Sequence, residues 1–163
     1  MNRWPSHLVL LGLIAASVSA AAPINVERYP LVGLKEIAVA IEAIPAVLEK
    51  SIDRKQLQAS VELRLRRAGI KVVELDGKAG VPYLYVNLNA IRHQNLPVIA
   101  CAIEVRCNEK AMLVRDPSIA TFFSTWHNGT IATVGEANAR QLEDSVLGIV
   151  DVFANDLLAA NQK

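Results

Sequence analysis

The chain has 163 residues, 17 Lys and Arg against 16 Asp and Glu, and 52% hydrophobic residues. That is room for one domain with a real core, and it is too apolar and too nearly neutral for a disordered chain. The balanced charge also lacks the long-range field that a nucleic-acid binder needs.

The N-terminus has the build of an export signal. Arg3 lies in a short polar start, residues 8–16 are almost unbroken apolar, and Ser17, Val18, Ser19 and Ala20 follow. A basic start, a short apolar run and a small-residue exit make a secretory signal peptide over residues 1–20. The expected cut falls between Ala20 and Ala21, with Val18 and Ala20 in the two recognised positions. A cut after Ala22 would place Pro23 just past the bond. The apolar run is about 15 residues, short of the roughly 20 that a spanning helix needs. No second such run follows, so no transmembrane segment is expected after cleavage. With no cysteine beside the cut, a lipid anchor is not expected either. The mature chain then carries 16 basic and 16 acidic residues and is expected in the periplasm or outside the cell.

Residues 21–33, with Pro23 and Pro30, are expected to form a flexible leader to a single domain over residues 34–161. Ile37, Val39 and Ile41 alternate with smaller or polar residues, a strand period that Pro45 closes. Ser51 is placed to cap the next segment. There Leu57, Val61, Leu65 and Ala68 form a narrow stripe of about 80° on a helix of about 17 residues. Gly69 suits the left-handed position after that helix, and Ile70 the apolar contact beyond it.

Residues 70–75 are expected to form a short strand, followed by a turn at Asp76-Gly77. Residues 83–91 alternate cleanly. Leu84, Val86, Leu88 and Ala90 face one way, and Tyr83, Tyr85, Asn87 and Asn89 the other. Residues 98–107 alternate again, with Ile99, Cys101, Ile103, Val105 and Cys107 inward. Asn108-Glu109-Lys110 is expected to be a tight hairpin link. Residues 111–115 and 119–126 would then form one strand interrupted at Asp116-Pro117, or two short ones. Asn128-Gly129 is a turn dipeptide, with a brief strand at 131–134.

A long helix is expected from Glu136 to about Ala160. Its stripe of Leu142, Val146, Ile149, Phe153 and Leu157, widened by Leu147, Val150, Ala154 and Leu158, covers roughly 180°. Burial against both the sheet and the first helix accounts for this width; a partner surface along Leu147 and Leu158 is the sharper alternative. The order β-α-β-β-β(β)-α implies an α+β fold. Its single mixed or antiparallel sheet of 4–5 strands would be covered by both helices on one face.

This order, with export, resembles a small envelope-associated class: the TolB amino-terminal domain and the lipopolysaccharide-assembly lipoprotein. At residue level it is similar to uncharacterised exported bacterial proteins. The residues that carry this are Val61-Glu62 with Leu65-Arg66, Ala68-Gly69-Ile70, Tyr83-Leu84-Tyr85-Val86, Val114-Arg115-Asp116, Thr125-Trp126, and Val152-Phe153 with Leu157-Leu158 and Asn161. The resemblance implies two helices on one face of a mixed sheet and a role in the bacterial envelope.

Catalytic signals are absent from the motifs. Cys101 and Cys107 lie six apart in one strand on one face, about 20 Å between Cα atoms. A disulfide needs under about 7 Å, so buried free thiols are expected. His93 and His127 have no ligand spacing, and no phosphate loop or nucleophile elbow occurs, so neither metal nor cofactor is expected. Glu104 with Arg106 is expected to be a solvated pair, and Trp126 a core or rim contact. Tyr83, Tyr85, Asn87 and Asn89, beside the small Ala100 and Ala102, make a flat surface able to stack a sugar or meet a partner strand. The expected function is a non-enzymatic binding or assembly module of the bacterial cell envelope, acting on another envelope protein or a glycan. A small secreted enzyme with a site assembled from distant residues, and a purely structural subunit, are the alternatives.

Overall fold

The computed structural model describes residues 29–75 and 80–162. The expected signal peptide, its expected cut between Ala20 and Ala21 and the expected Asp76-Gly77 turn lie outside the described residues. Five strands, β1 Glu36–Ile41, β2 Lys71–Val72, β3 Tyr83–Arg92, β4 Val98–Leu113 and β5 Asp116–Gly135, form one sheet in the order β2-β1-β3-β4-β5. β1 runs parallel to β2 and β3, and β4 is antiparallel to β3 and β5. With helices α1 Arg54–Arg67 and α2 Gln141–Asn161, this is the α+β order that the hydrophobic periods imply.

Strand alternation puts Ile37, Val39, Ile41, Leu84, Val86, Leu88, Ile99, Cys101, Ile103, Val105 and Cys107 on one face, and all are buried. Leu57, Val61 and Leu65 of α1 and the apolar stripe of α2 complete the same cluster. Burying one large side chain such as Phe153 contributes about 1.5–3 kcal/mol. The stripe of α2 is wide because it meets both the sheet and α1. The helices also share an exposed ion pair, Arg64 Nε to Asp151 Oδ1 at 3.4 Å, worth about 0–1 kcal/mol.

The cap of α1 is Asp53, not Ser51. The Asp53 carboxylate accepts from the Gln56 N–H at 2.8 Å. Residues 46–51 instead form turns that bury Leu48 and Ile52, so the helix starts later and is 14 residues long. Its end is as expected. Gly69 has φ 82°, the Ile70 N–H donates to the Leu65 carbonyl at 3.0 Å, and the Gly69 N–H donates to that of Arg66 at 2.9 Å. That is the paired bonding of a Schellman end.

Three turn assignments are corrected. Asn108-Glu109-Lys110 is not a hairpin link, because β4 runs on to Leu113 and the chain reverses at Val114-Arg115, where Leu113 pairs with Asp116. Thr125 holds the two strands together at the site of the expected link, donating to Glu109 Oε1 at 2.6 Å. Residues 111–113 therefore belong to β4, and the break at Asp116-Pro117 is the start of β5. Asn128-Gly129 is not a turn but lies inside β5, paired with Val105 and Glu104. β2 is only two residues long, and residues 136–138 form a 3-10 turn ahead of α2.

The described end of the expected leader is docked. Leu31 is fully buried, and Asn161 at the end of α2 clasps it. Asn161 Nδ2 donates to the Leu31 carbonyl at 3.0 Å, while Oδ1 accepts from the Gly33 N–H at 2.7 Å.

Candidate binding face

The face of the sheet turned away from the helices carries the residues singled out by alternation. Register sets them in rows. Ala38, Tyr83 and Asn108 stand side by side across β1, β3 and β4, followed by Ala40, Tyr85 and Arg106, then Asn87 beside Glu104. Asn89 lies beside Ala102, which pairs on its other side with Ile131 of β5. Tyr83, Tyr85 and Asn87 are half-buried, and Asn89 is exposed.

One ring contact and one hydrogen bond fix the two tyrosines. The Tyr83 ring meets Phe122 of β5 edge-on, centroids 5.3 Å apart, worth about 0.5–1.5 kcal/mol beyond burial. Sequence reasoning missed Phe122, because the misplaced hairpin link put β5 in the wrong register. The Tyr85 hydroxyl donates to Glu42 Oε2 at 2.5 Å. This bond holds the Glu42 carboxyl below its usual range and pushes the Tyr85 phenol up. Arg106 Nη2 lies 2.7 Å from Glu104 Oε2, the solvated pair expected, with His127 opposite Arg106. At the far end a depression of ≈ 430 Å³ is lined by Pro45, Asn89, Ile91, Ala100, Ala102 and Ile131, among others. Two phenols, the three amides of Asn87, Asn89 and Asn108, paired charges and an apolar rim make up this face.

The other residues singled out are placed as follows. Cys101 and Cys107 are unpaired and buried, and burial, helped by nearby Glu109, pushes the Cys107 thiol up to about 12. His93 Nδ1 accepts from the N–H groups of Asn95 and Leu96 at 3.1 Å, organising its own loop. Trp126 is buried, packs edge-on against Phe153 at 5.1 Å, and donates to Asp156 Oδ2 at 3.0 Å. Leu147 is half-buried against the core, and Leu158 is exposed. Among the described residues no group of three or more His, Cys, Asp or Glu could hold a metal ion. No described helix is long and apolar enough to cross a membrane.

No protein-family model matches the chain, and no curated protein matches it. Among solved structures it is similar to a minor lipoprotein from Acinetobacter baumannii, at 9% identity and a TM-score of 0.42, over 78% of this chain and 93% of that one. It is also similar to a hypothetical protein from Chlamydia trachomatis, at 10% identity and a TM-score of 0.35, over 76% and 93%. Scores below 0.5 at such identity say nothing of what this chain does.

Proposed function

We propose that the chain is an exported, non-enzymatic binding or assembly module of the bacterial cell envelope, and that its open sheet face is the contact surface. One observation carries the reading: both helices lie on one side, and the other side presents Tyr83, Tyr85, Asn87 and Asn89 in adjacent rows. Aromatic and amide groups held on strands lose little conformational entropy on binding, which favours recognition by stacking and hydrogen bonding. The partner class that fits is another envelope protein or a glycan.

The test compares the protein with a Tyr83→Ala, Tyr85→Ala variant in pull-downs from envelope extract and in binding to isolated cell-wall glycan. A retained partner or glycan that the variant loses, at unchanged circular dichroism, supports the reading. Truncating a contact aromatic commonly costs more than about 1 kcal/mol of binding. Equal retention by a folded variant removes the sheet face from the proposal.

A further inference from the structure

The two edges of the sheet are built differently. β2 is two residues long, and its Lys71 is held by Glu36 at 2.6 Å. A short, charged edge is the usual guard against unwanted strand pairing. β5, at the other edge, is 20 residues long, against a typical strand of about 5–6. Residues 117–135 contain no Asp, Glu, Lys or Arg, and no proline after Pro117. Among the described residues, no loop or helix backbone is hydrogen-bonded to β5. Its outer row of N–H and C=O groups has no backbone partner among the described residues, and such a row is a template for another strand.

The half of β5 that follows Trp126 is the regular half. Its register with β4 is unbroken from Trp126 opposite Cys107 to Gly135 opposite Val98, whereas the other half carries irregularities at Cys107/Asn108 and Met112/Leu113. Irregular ladders turn an edge away from pairing, and regular ones present it. Ile131, at the middle of the regular half, is 80% exposed.

We propose that β5 pairs antiparallel with β5 of a second copy, about a two-fold axis normal to the sheet and centred on Ile131. Ile131 then meets its own copy, and Gly129 meets Thr133. Charge decides for a second copy. A two-fold contact sets a strand against itself, so any charge near the axis would meet its like at close range. This strand carries none there, and its neutral, β-branched residues suit a self-paired ladder. The pairing also desolvates Ile131 against an equally apolar partner. The two sheets become one, with both open faces on the same side, so each tyrosine row gains a symmetry mate. The pairing does not depend on what the open face binds.

Sedimentation of the whole protein over a concentration series tests this, with Ile131→Lys, Ile131→Cys and Phe123→Cys variants. Cys101 and Cys107 are buried and do not compete in cross-linking. The expected result is a dimer that Ile131→Lys weakens at least about tenfold, because like charges then meet on the axis. Under mild oxidation Ile131→Cys links two chains, since directly opposed Cβ atoms stand about 4.5–5.5 Å apart, and Phe123→Cys does not. A protein that stays monomeric up to about 1 mM overturns the proposal. So does a dimer indifferent to Ile131→Lys, or one linked through Phe123→Cys alone. If Ile131→Lys does not fold, the pair of cysteine variants still decides.

Discussion

Gly129 is pressed against the backbone of Ile103: a Cβ at 129 would stand 2.7 Å from the Ile103 carbonyl oxygen. Glycine is required there by the neighbouring strand and not by a turn, since its φ is not among the positive ones. Gly129→Ala is expected to lower stability by about 1–3 kcal/mol through overpacking, read as a lower urea midpoint at unchanged slope. Asn128→Val, at a strand position opposite Val105, is expected to stay within about 0.5 kcal/mol of the parent. A large loss from Asn128→Val would mean that the dipeptide turns after all.

The same pair shows what the sequence could and could not disclose. Asn-Gly is a turn signal only when nothing nearby needs a missing Cβ, and Ile103 lies 26 positions away in the chain. Local chemistry sufficed where the cause was local: Gly69 and Ile70 close α1 through bonds to Arg66 and Leu65. The phase of β3 was also legible, because Leu84, Val86 and Leu88 alternate against Tyr83, Tyr85 and Asn87. Four of the residues placed on the open face are therefore where alternation put them. Phe122 and Glu42, which touch two of them, reach them only through long-range register. Thr125 bonding to Glu109 is likewise a contact that no window of neighbouring residues contains.

The cap of α1 separates the two readings of its start. Asp53→Ala removes the acceptor of the Gln56 N–H and is expected to cost about 1 kcal/mol. Ser51→Ala is expected to change stability by less than about 0.5 kcal/mol. Thermal or urea unfolding of the two variants in parallel checks this. A larger cost at Ser51 than at Asp53 would move the cap back to the position that spacing alone favoured.

Asn161 ties the two ends of the domain together. Its amide donates to the Leu31 and Leu157 carbonyls and accepts from the Gly33 N–H. Asn161→Ala frees the turn that carries Leu31 into the core. About 1–3 kcal/mol of stability should go with it, since a set of hydrogen bonds is lost while the main-chain groups gain water. Hydrogen exchange gives the sharper readout: the Gly33 amide is expected to lose protection while β3 and β4 keep theirs. Unchanged protection at Gly33 would mean that Leu31 holds the turn without the clasp.

Cys107 makes stability depend on alkaline pH in a defined direction. Burial raises its thiol from 9.0 to about 12; the Glu109 charge adds to this, and a hydrogen bond with Thr125 opposes it. Cys101 is raised by burial as well. The folded state thus prefers the neutral thiol, while the unfolded chain ionises it near its ordinary value. The thiol's contribution is intact below about pH 9 and is lost as pH climbs from there toward 12. Cys107→Ala starts from lower stability, by roughly 1–2 kcal/mol of lost packing, but lacks this thiol's share of the decline. Urea midpoints measured across the alkaline range should therefore fall more steeply for the parent than for the variant. Parallel curves would mean that the thiol titrates alike in both states, and so is not sealed in the core. Alkylation supplies an independent check: near pH 8 the folded protein should resist a thiol reagent, and the denatured chain should take up two labels.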